Sequence, residues 1–216
     1  FNFDFDLDAT IDIPFEHRHQ CWFCGEPKNQ SFTFPHDGHK VLACPHPTLI
    51  VPSCVECQYL SYRAKVDTIW QVRVSVKQAL IKKYHKDLAI GLNWTQEELA
   101  NSGFEGGNFE TFQRSAWFMY EVARDRVNFA AWPLSLSGQE INESSEKQLF
   151  VFDGVSYPSI DDAVIQYVNA FDLTRTLFID ALAKLGIERF ADAVRFCRNQ
   201  VGATPQENKV ALRSLH

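Results

Sequence analysis

Residues 21–25 read Cys-Trp-Phe-Cys-Gly, and residues 54–57 read Cys-Val-Glu-Cys. Two residues between paired cysteines let one tight turn point both sulfurs at a common centre. Gly25 lets backbone amides approach the sulfurs of the first pair. The second pair opens a helical pattern, because Ser53-Cys54-Val55-Glu56 fits a capping box with Ser53 as N-cap and Glu56 at the third helical position. There the helix dipole and the unpaired N–H groups favour thiolate over thiol. Four thiolates make a closed tetrahedral site, the form of a structural zinc site rather than a catalytic one. The expected zinc ligands are therefore Cys21, Cys24, Cys54 and Cys57. Twenty-nine residues lie between the pairs, enough for a hairpin. A knuckle, a hairpin and a helix in that order describe a treble clef. The competing readings are a redox pair and reduced buried thiols, but two pairs at this spacing rarely serve redox and no βαβ pattern surrounds them. Cys44-Pro45-His46 offers an alternative ligand, and Cys197 reads as a small core residue on a helix.

Before the first pair, residues 1–13 alternate apolar and acidic side chains and read as an edge strand. Leu49-Ile50-Val51 is a short apolar strand running into Pro52. After the second pair, Val72, Val76, Leu80, Tyr84 and Leu88 recur every four residues, the spacing of one helix face. Asp67 is the expected cap of a second helix, and Gly91 its expected end. Thr95-Gln96-Glu97-Glu98 is a capping box for a short helix stopped by Gly103. Asn108 then caps a long helix whose apolar face is Phe109, Phe112, Ala116, Met119, Ala123 and Val127, closed by Trp132-Pro133. Trp117-Phe118-Met119-Tyr120 points in several directions on that helix and reads as packing. Residues 135–148 are polar and read as a loop. Asp153-Gly154 between apolar residues signals a hairpin. Three helices follow, capped by Ser159, by Asp172 or Thr174, and running from about Ile187 to Gln200. A last short helix opens at Thr204-Pro205-Gln206-Glu207.

The expected class is α+β, mostly helical, with a small treble-clef module and then a helical bundle. The expected divisions are 1–92, 93–148 and 149–216. The 216 residues suffice for one good core or two small domains. A net charge of −6 excludes a general polyanion binder and leaves room only for a local basic face. No apolar run approaches the length of a membrane span, which is about 18 residues or more. The N-terminal pattern lacks the features of a secretion signal. With four of the six cysteines in metal-type pairs, the expectation is a cytoplasmic protein that does not enter membranes.

Three stretches carry a resemblance: CWFCGEP (21–27), LIVPSCVECQYL (49–60) and VKQALIKKYHKDLAIGLNWTQEEL (76–99). Together they resemble bacterial and phage proteins with HNH-type zinc modules, from about Cys21 to Leu99. The shared marks are the knuckle, the Pro-x-Cys-x-x-Cys helix start and the basic helix that ends in a Trp and an acidic cap. The resemblance implies metal-assisted phosphodiester cleavage, with a His as general base and Mg²⁺ or Mn²⁺ held by Asp, Asn or His. It makes His36 and His39 the candidate catalytic bases, and Asp37 a candidate ligand of that second metal. The sequence departs from the family pattern. It has no Asp-His pair after the knuckle, Thr48 stands where Asn is expected, and Gln58 stands where His or Asn should follow the last Cys. The module therefore reads as degenerate.

Arg63, Lys65, Arg73, Lys77, Lys82, Lys83 and Lys86 form the basic stretch of this acidic chain, with Tyr62 and Tyr84 interleaved. Such a helix can lie along the phosphates of DNA or RNA. Residues 151–186 faintly resemble the helix-turn-helix units that accompany HNH nucleases, with a recognition helix over about 174–185. Its surroundings are acidic, a poor surface for phosphate. Two functions stand open: a nucleic-acid-binding protein, cutting or not, and an interaction or regulatory protein that uses the zinc module as a scaffold for a protein partner.

Overall fold

The computed structural model describes residues 10–36, 44–102, 107–142 and 149–215, with the backbone alone at residues 107–112. The protein is α+β and mostly helical, with small antiparallel sheets. The first hairpin joins β1, Gln30–Phe34, to β2, Leu49–Ser53, with Gln30 opposite Ser53 and Phe34 opposite Leu49. In this register Phe32 faces Val51, and these four apolar side chains share one fully buried face. Of the expected strand over residues 1–13, residues 1–9 lie outside the described residues. Thr10 bridges Ile50 in parallel and the Ile11 N–H donates to the Ile50 carbonyl, but the Asp12 N–H turns away to Ser135. Pro14 then starts a 3-10 turn over Phe15–His17, so the strand does not continue.

Helix α1 spans Val55–Tyr62. Its cap is Cys54, whose sulfur accepts from the Cys57 N–H at 3.4 Å, and not Ser53. Ser53 is held in β2 opposite Gln30, and its hydroxyl donates to the Cys54 carbonyl. Helix α2, Ile69–Lys83, is capped by Thr68 rather than Asp67, whose N–H is taken by the Gln71 side chain. Helix α3, His85–Asn93, runs through Gly91 instead of ending there. Of the stripe, Val72, Val76, Leu80 and Leu88 are fully buried, as their spacing predicts, while Tyr84, the residue between α2 and α3, is partly buried.

Helix α4, Gln96–Ala100, has the capping box of Thr95 and Glu98. Helix α5 spans Gly107–Asn128, so Asn108 lies inside it. Its buried face is Tyr120, Ala123, Arg126 and Val127, while Met119 is exposed. The side chains of Phe109 and Phe112, and Gly103, lie outside the described residues. The helix ends at Asn128, whose amide is bonded to Gly154 and Ser156 of the next hairpin. The expected loop over 135–148 contains a minimal hairpin, β3 (Ser135–Leu136) and β4 (Gln139–Glu140).

Strands β5, Phe150–Phe152, and β6, Val155–Tyr157, flank Asp153 and Gly154. Both turn residues have positive φ, 52° and 73°, which a two-residue turn of this kind requires. Helix α6, Ile160–Phe171, is capped by Ser159. Asp172 ends it in the left-handed conformation and does not cap the next helix; Thr174 precedes α7, Arg175–Leu185. A 3-10 turn at Ile187–Arg189 leads into α8, Phe190–Arg198, and the capping box of Thr204 and Glu207 opens α9, Pro205–Arg213.

One continuous core runs from the first hairpin through α1, α2, α3 and α5 to the last hairpin and α6, α7 and α8. Phe190 gathers the rings of Phe150, Phe152, Tyr167 and Phe178 in the C-terminal third. Gln166 donates to the His85 carbonyl and Gln78 to the Asp162 carboxylate, tying α6 to α3 and α2. Cys197 is buried as a core residue. Among the described residues no helix is long and apolar enough to cross a membrane.

Gly91 sets the spacing of α3 and α5: a Cβ there would lie 2.2 Å from the buried ring of Tyr120. Gly91→Ala should lower stability by about 1–3 kcal/mol, the usual cost of overpacking. Thermal or denaturant unfolding reads this. The loss should shrink in a Tyr120→Ala background, and an unchanged loss there would rule out the clash as its cause.

Candidate metal centre

The knuckle is built by its own backbone. The Cys21 N–H donates to the Glu26 carbonyl at 2.7 Å, and the Gly25 N–H returns to the Cys21 carbonyl at 2.9 Å. Gly25 has φ 74°, and the ring of Phe129 lies 2.7 Å from where a Cβ would stand, so both conformation and space demand glycine. The Trp22 N–H donates to the Pro52 carbonyl, pinning the knuckle to the end of β2. Ser53 then delivers the second pair to the first turn of α1.

The four sulfurs of Cys21, Cys24, Cys54 and Cys57 lie within 4.8 Å of one another, and all four residues are buried. The Cys24 and Cys54 sulfurs are 3.8 Å apart. A tetrahedron with zinc–sulfur bonds of about 2.3 Å has edges of about 3.8 Å. The donor set therefore fits one zinc ion in both chemistry and spacing. Hydrogen bonds among the sulfurs split their acidities. Cys21 pushes Cys24 and Cys54 below the usual thiol range, Cys24 pushes Cys21 above it, and Cys21 pushes Cys57 above it. Four buried thiolates cannot coexist without a cation between them, whereas a dication removes the need for shared protons.

A second layer surrounds the sulfurs. Arg126, on α5, donates through Nη2 to the Cys24 sulfur at 3.7 Å and to the Glu56 carboxylate, and through Nη1 to the Tyr84 hydroxyl at 2.7 Å. Glu56 also pairs with Lys83 and accepts from the Tyr84 hydroxyl at 3.0 Å. Burial pushes the pKa of Glu56 up, but Lys83 and Arg126 outweigh it and hold the carboxyl below its usual range. Burial works against the Arg126 cation, yet the charges of Cys24 and Glu56 hold it more firmly protonated than usual.

Cys44 is not one of the grouped sulfurs. His46 is no ligand either. Its Nε2 accepts from the Ile69 N–H at 3.1 Å, so Nδ1 carries the proton and donates to the Pro47 carbonyl at 2.8 Å. Burial pushes its pKa down, which keeps this neutral form.

Of the candidate catalytic residues, His39 and Asp37 lie outside the described residues. His36 packs edge-on against Tyr62, with ring centres 5.0 Å apart, and tilts over Phe32. Gln58 donates to the Ser31 carbonyl at 2.7 Å and so clasps α1 to β1. Thr48 is exposed.

The seven basic residues do not form one face. Arg73 donates to the Phe129 carbonyl and stands over the Trp22 ring. Lys83 is paired with Glu56. Lys77 is 3% exposed. Arg63, which stacks on and bonds to Tyr59, and Lys65, Lys82 and Lys86 remain at the surface. Packing explains the difference, since Arg73 and Lys77 lie one turn apart on the side of α2 that the helix buries.

Compared with known proteins, the chain matches no family model, no curated protein and no solved structure.

Burial, helped by Arg73, pushes Lys77 down to about 8. A depressed folded value adds stability that is full above the unfolded value, near 10.4, and is lost as pH falls through about 8. At pH 7 the buried charge therefore costs stability. Lys77→Met should be about 1–3 kcal/mol more stable than the parent at pH 7, with the advantage shrinking towards pH 10.5. Denaturant unfolding of both proteins across that range checks it; a difference independent of pH would show that Lys77 does not titrate this way.

Proposed function

We propose that Cys21, Cys24, Cys54 and Cys57 hold one structural zinc ion, and that the HNH-like module built on it is a binding scaffold rather than a nuclease. The observation that carries this reading is the use of the family's chemical positions for structure. Gln58 braces a helix against a strand, and His36 is packed against the rings of Phe32 and Tyr62. The zinc would supply folding free energy, with no open coordination position for water.

The scaffold presents the outer side of α1. Val55, Tyr59 and Tyr62 are 56%, 60% and 48% exposed there, with Arg63 stacked on Tyr59. Exposed aromatic residues on a helix stapled at its start suit recognition of a partner. A second reading, binding of DNA or RNA, has specific support: Arg63 and Lys65 stand beside those tyrosines in sequence, and bases stack on such rings while cations meet phosphates. Cleavage with Mg²⁺ or Mn²⁺ would fall to His36 or His39.

Metal analysis should find one zinc per chain in the parent protein and none in Cys54→Ala. Structural zinc contributes on the order of 10 kcal/mol, comparable to the whole stability of a domain, so Cys54→Ala should lose cooperative unfolding. A metal-free parent, or an unchanged melt in Cys54→Ala, would overturn the structural-zinc reading. Plasmid DNA and RNA incubated with Mg²⁺ or Mn²⁺ should stay intact. Cleavage abolished by His36→Ala or His39→Ala would replace the scaffold with a working nuclease. Nucleic-acid binding that weakens with salt, and weakens in Arg63→Ala, would assign the α1 face to nucleic acid.

A further inference from the structure

We propose that Arg126 is an outer-sphere positioning residue of the zinc centre, locking Cys24 and coupling the metal to the helical body. The inference rests on the structural-zinc reading above. One zinc ion and four thiolates carry a net charge of about −2, and a buried anion of that size needs donors around it. Arg126 is such a donor. It is 8% exposed, it comes from α5, far along the chain from either cysteine pair, and its Nη2 stands 3.7 Å from the Cys24 sulfur.

The guanidinium fork explains the choice of side chain. Nη1 reaches the Tyr84 hydroxyl while Nη2 serves both Cys24 and Glu56. A lysine ammonium offers a point charge without that planar spread. Glu56 in turn fixes the fork from the first turn of α1, between the two ligands Cys54 and Cys57. Thus α1, α2 and α5 meet at one charged cluster that touches a metal-binding sulfur. A thiolate that accepts a hydrogen bond from a cation is a weaker nucleophile, so Arg126 should retain zinc and shield Cys24 from electrophiles.

The test uses the full zinc-loaded chain. Zinc content of the parent is measured first, so a metal-free parent would count against the zinc reading itself. Chelator competition then compares the parent with Arg126→Lys and Arg126→Met. Loss of an outer-sphere partner should weaken zinc retention 10–100-fold in Arg126→Met, with Arg126→Lys between. Val127→Ala, at a buried neighbour on the same helix, controls for general loosening. Site-resolved alkylation supplies the second readout: in Arg126→Met, Cys24 should react ahead of Cys21 and Cys57, but not in Val127→Ala. Equal zinc retention in Arg126→Met and the parent, or a uniform rise in alkylation of all four cysteines, would overturn the proposal. If Arg126→Met does not fold, the same two readouts on Arg126→Lys decide.

Discussion

Four buried cysteine sulfurs confined within 4.8 Å of one another are the arrangement on which this structure turns. Thiolates at that spacing repel strongly in a medium of low dielectric, and protons shared between them offer only partial relief. A central dication turns the same crowding into a cross-link. The local backbone is shaped to the same end. The knuckle needs the positive φ of Gly25, the hairpin must end where Trp22 can donate to Pro52, and α1 must start at Cys54 so that its first amides face sulfur. The Gly25 turn and the Cys54 cap are local in sequence, the Trp22–Pro52 bond is not, and each has a plain reason to exist around a metal.

The remainder of the chain closes this centre from behind. Phe129 fills the space against Gly25. The Trp132 carbonyl accepts from the Trp22 indole N–H at 3.0 Å. Arg126 reaches the Cys24 sulfur. All three come from the end of α5 and the few residues after it, so that helix end packs directly on the cysteine module. The same helix end is bonded through Asn128 to the next hairpin. Disturbance at the sulfurs therefore has a short path into the C-terminal third.

How legible this was in the sequence depended on the range of the interactions. The cysteine pairs, the apolar stripe of α2 and α3, the Asp153-Gly154 turn and the boxes at Thr95 and Thr204 are set by near neighbours, and their spacing alone identifies them. Caps next to other structure were misplaced by a residue or more. Ser53 has the right chemistry for a cap but is claimed by its strand partner Gln30, and Asp67 loses the position to Thr68. Charge was legible, but its direction was not. Nothing in the composition of α2 shows that Lys77 is buried or that Arg73 faces Phe129. Arg126 was missed although a signal existed, since an arginine between Ala123 and Val127 interrupts an apolar face and so needs a buried partner. Glu56, read as half of a capping box, is part of that partner.

Two uses compete for polar residues around a buried anionic centre. A catalytic module leaves more of them open, so that water and a second metal can enter; a scaffold commits most of them internally. Gln58 spends its amide on Ser31 and His46 both ring nitrogens on backbone groups, while Glu56 has an arginine, a lysine and a tyrosine. Such commitments favour rigidity, and rigidity near the metal has its use at the surface. The tyrosines on the outer side of α1 stand on a helix whose start is fixed by two of the four sulfurs, so a partner meets rings that lose little further freedom on binding. The zinc centre would then act on recognition by holding that face in place, without touching the partner.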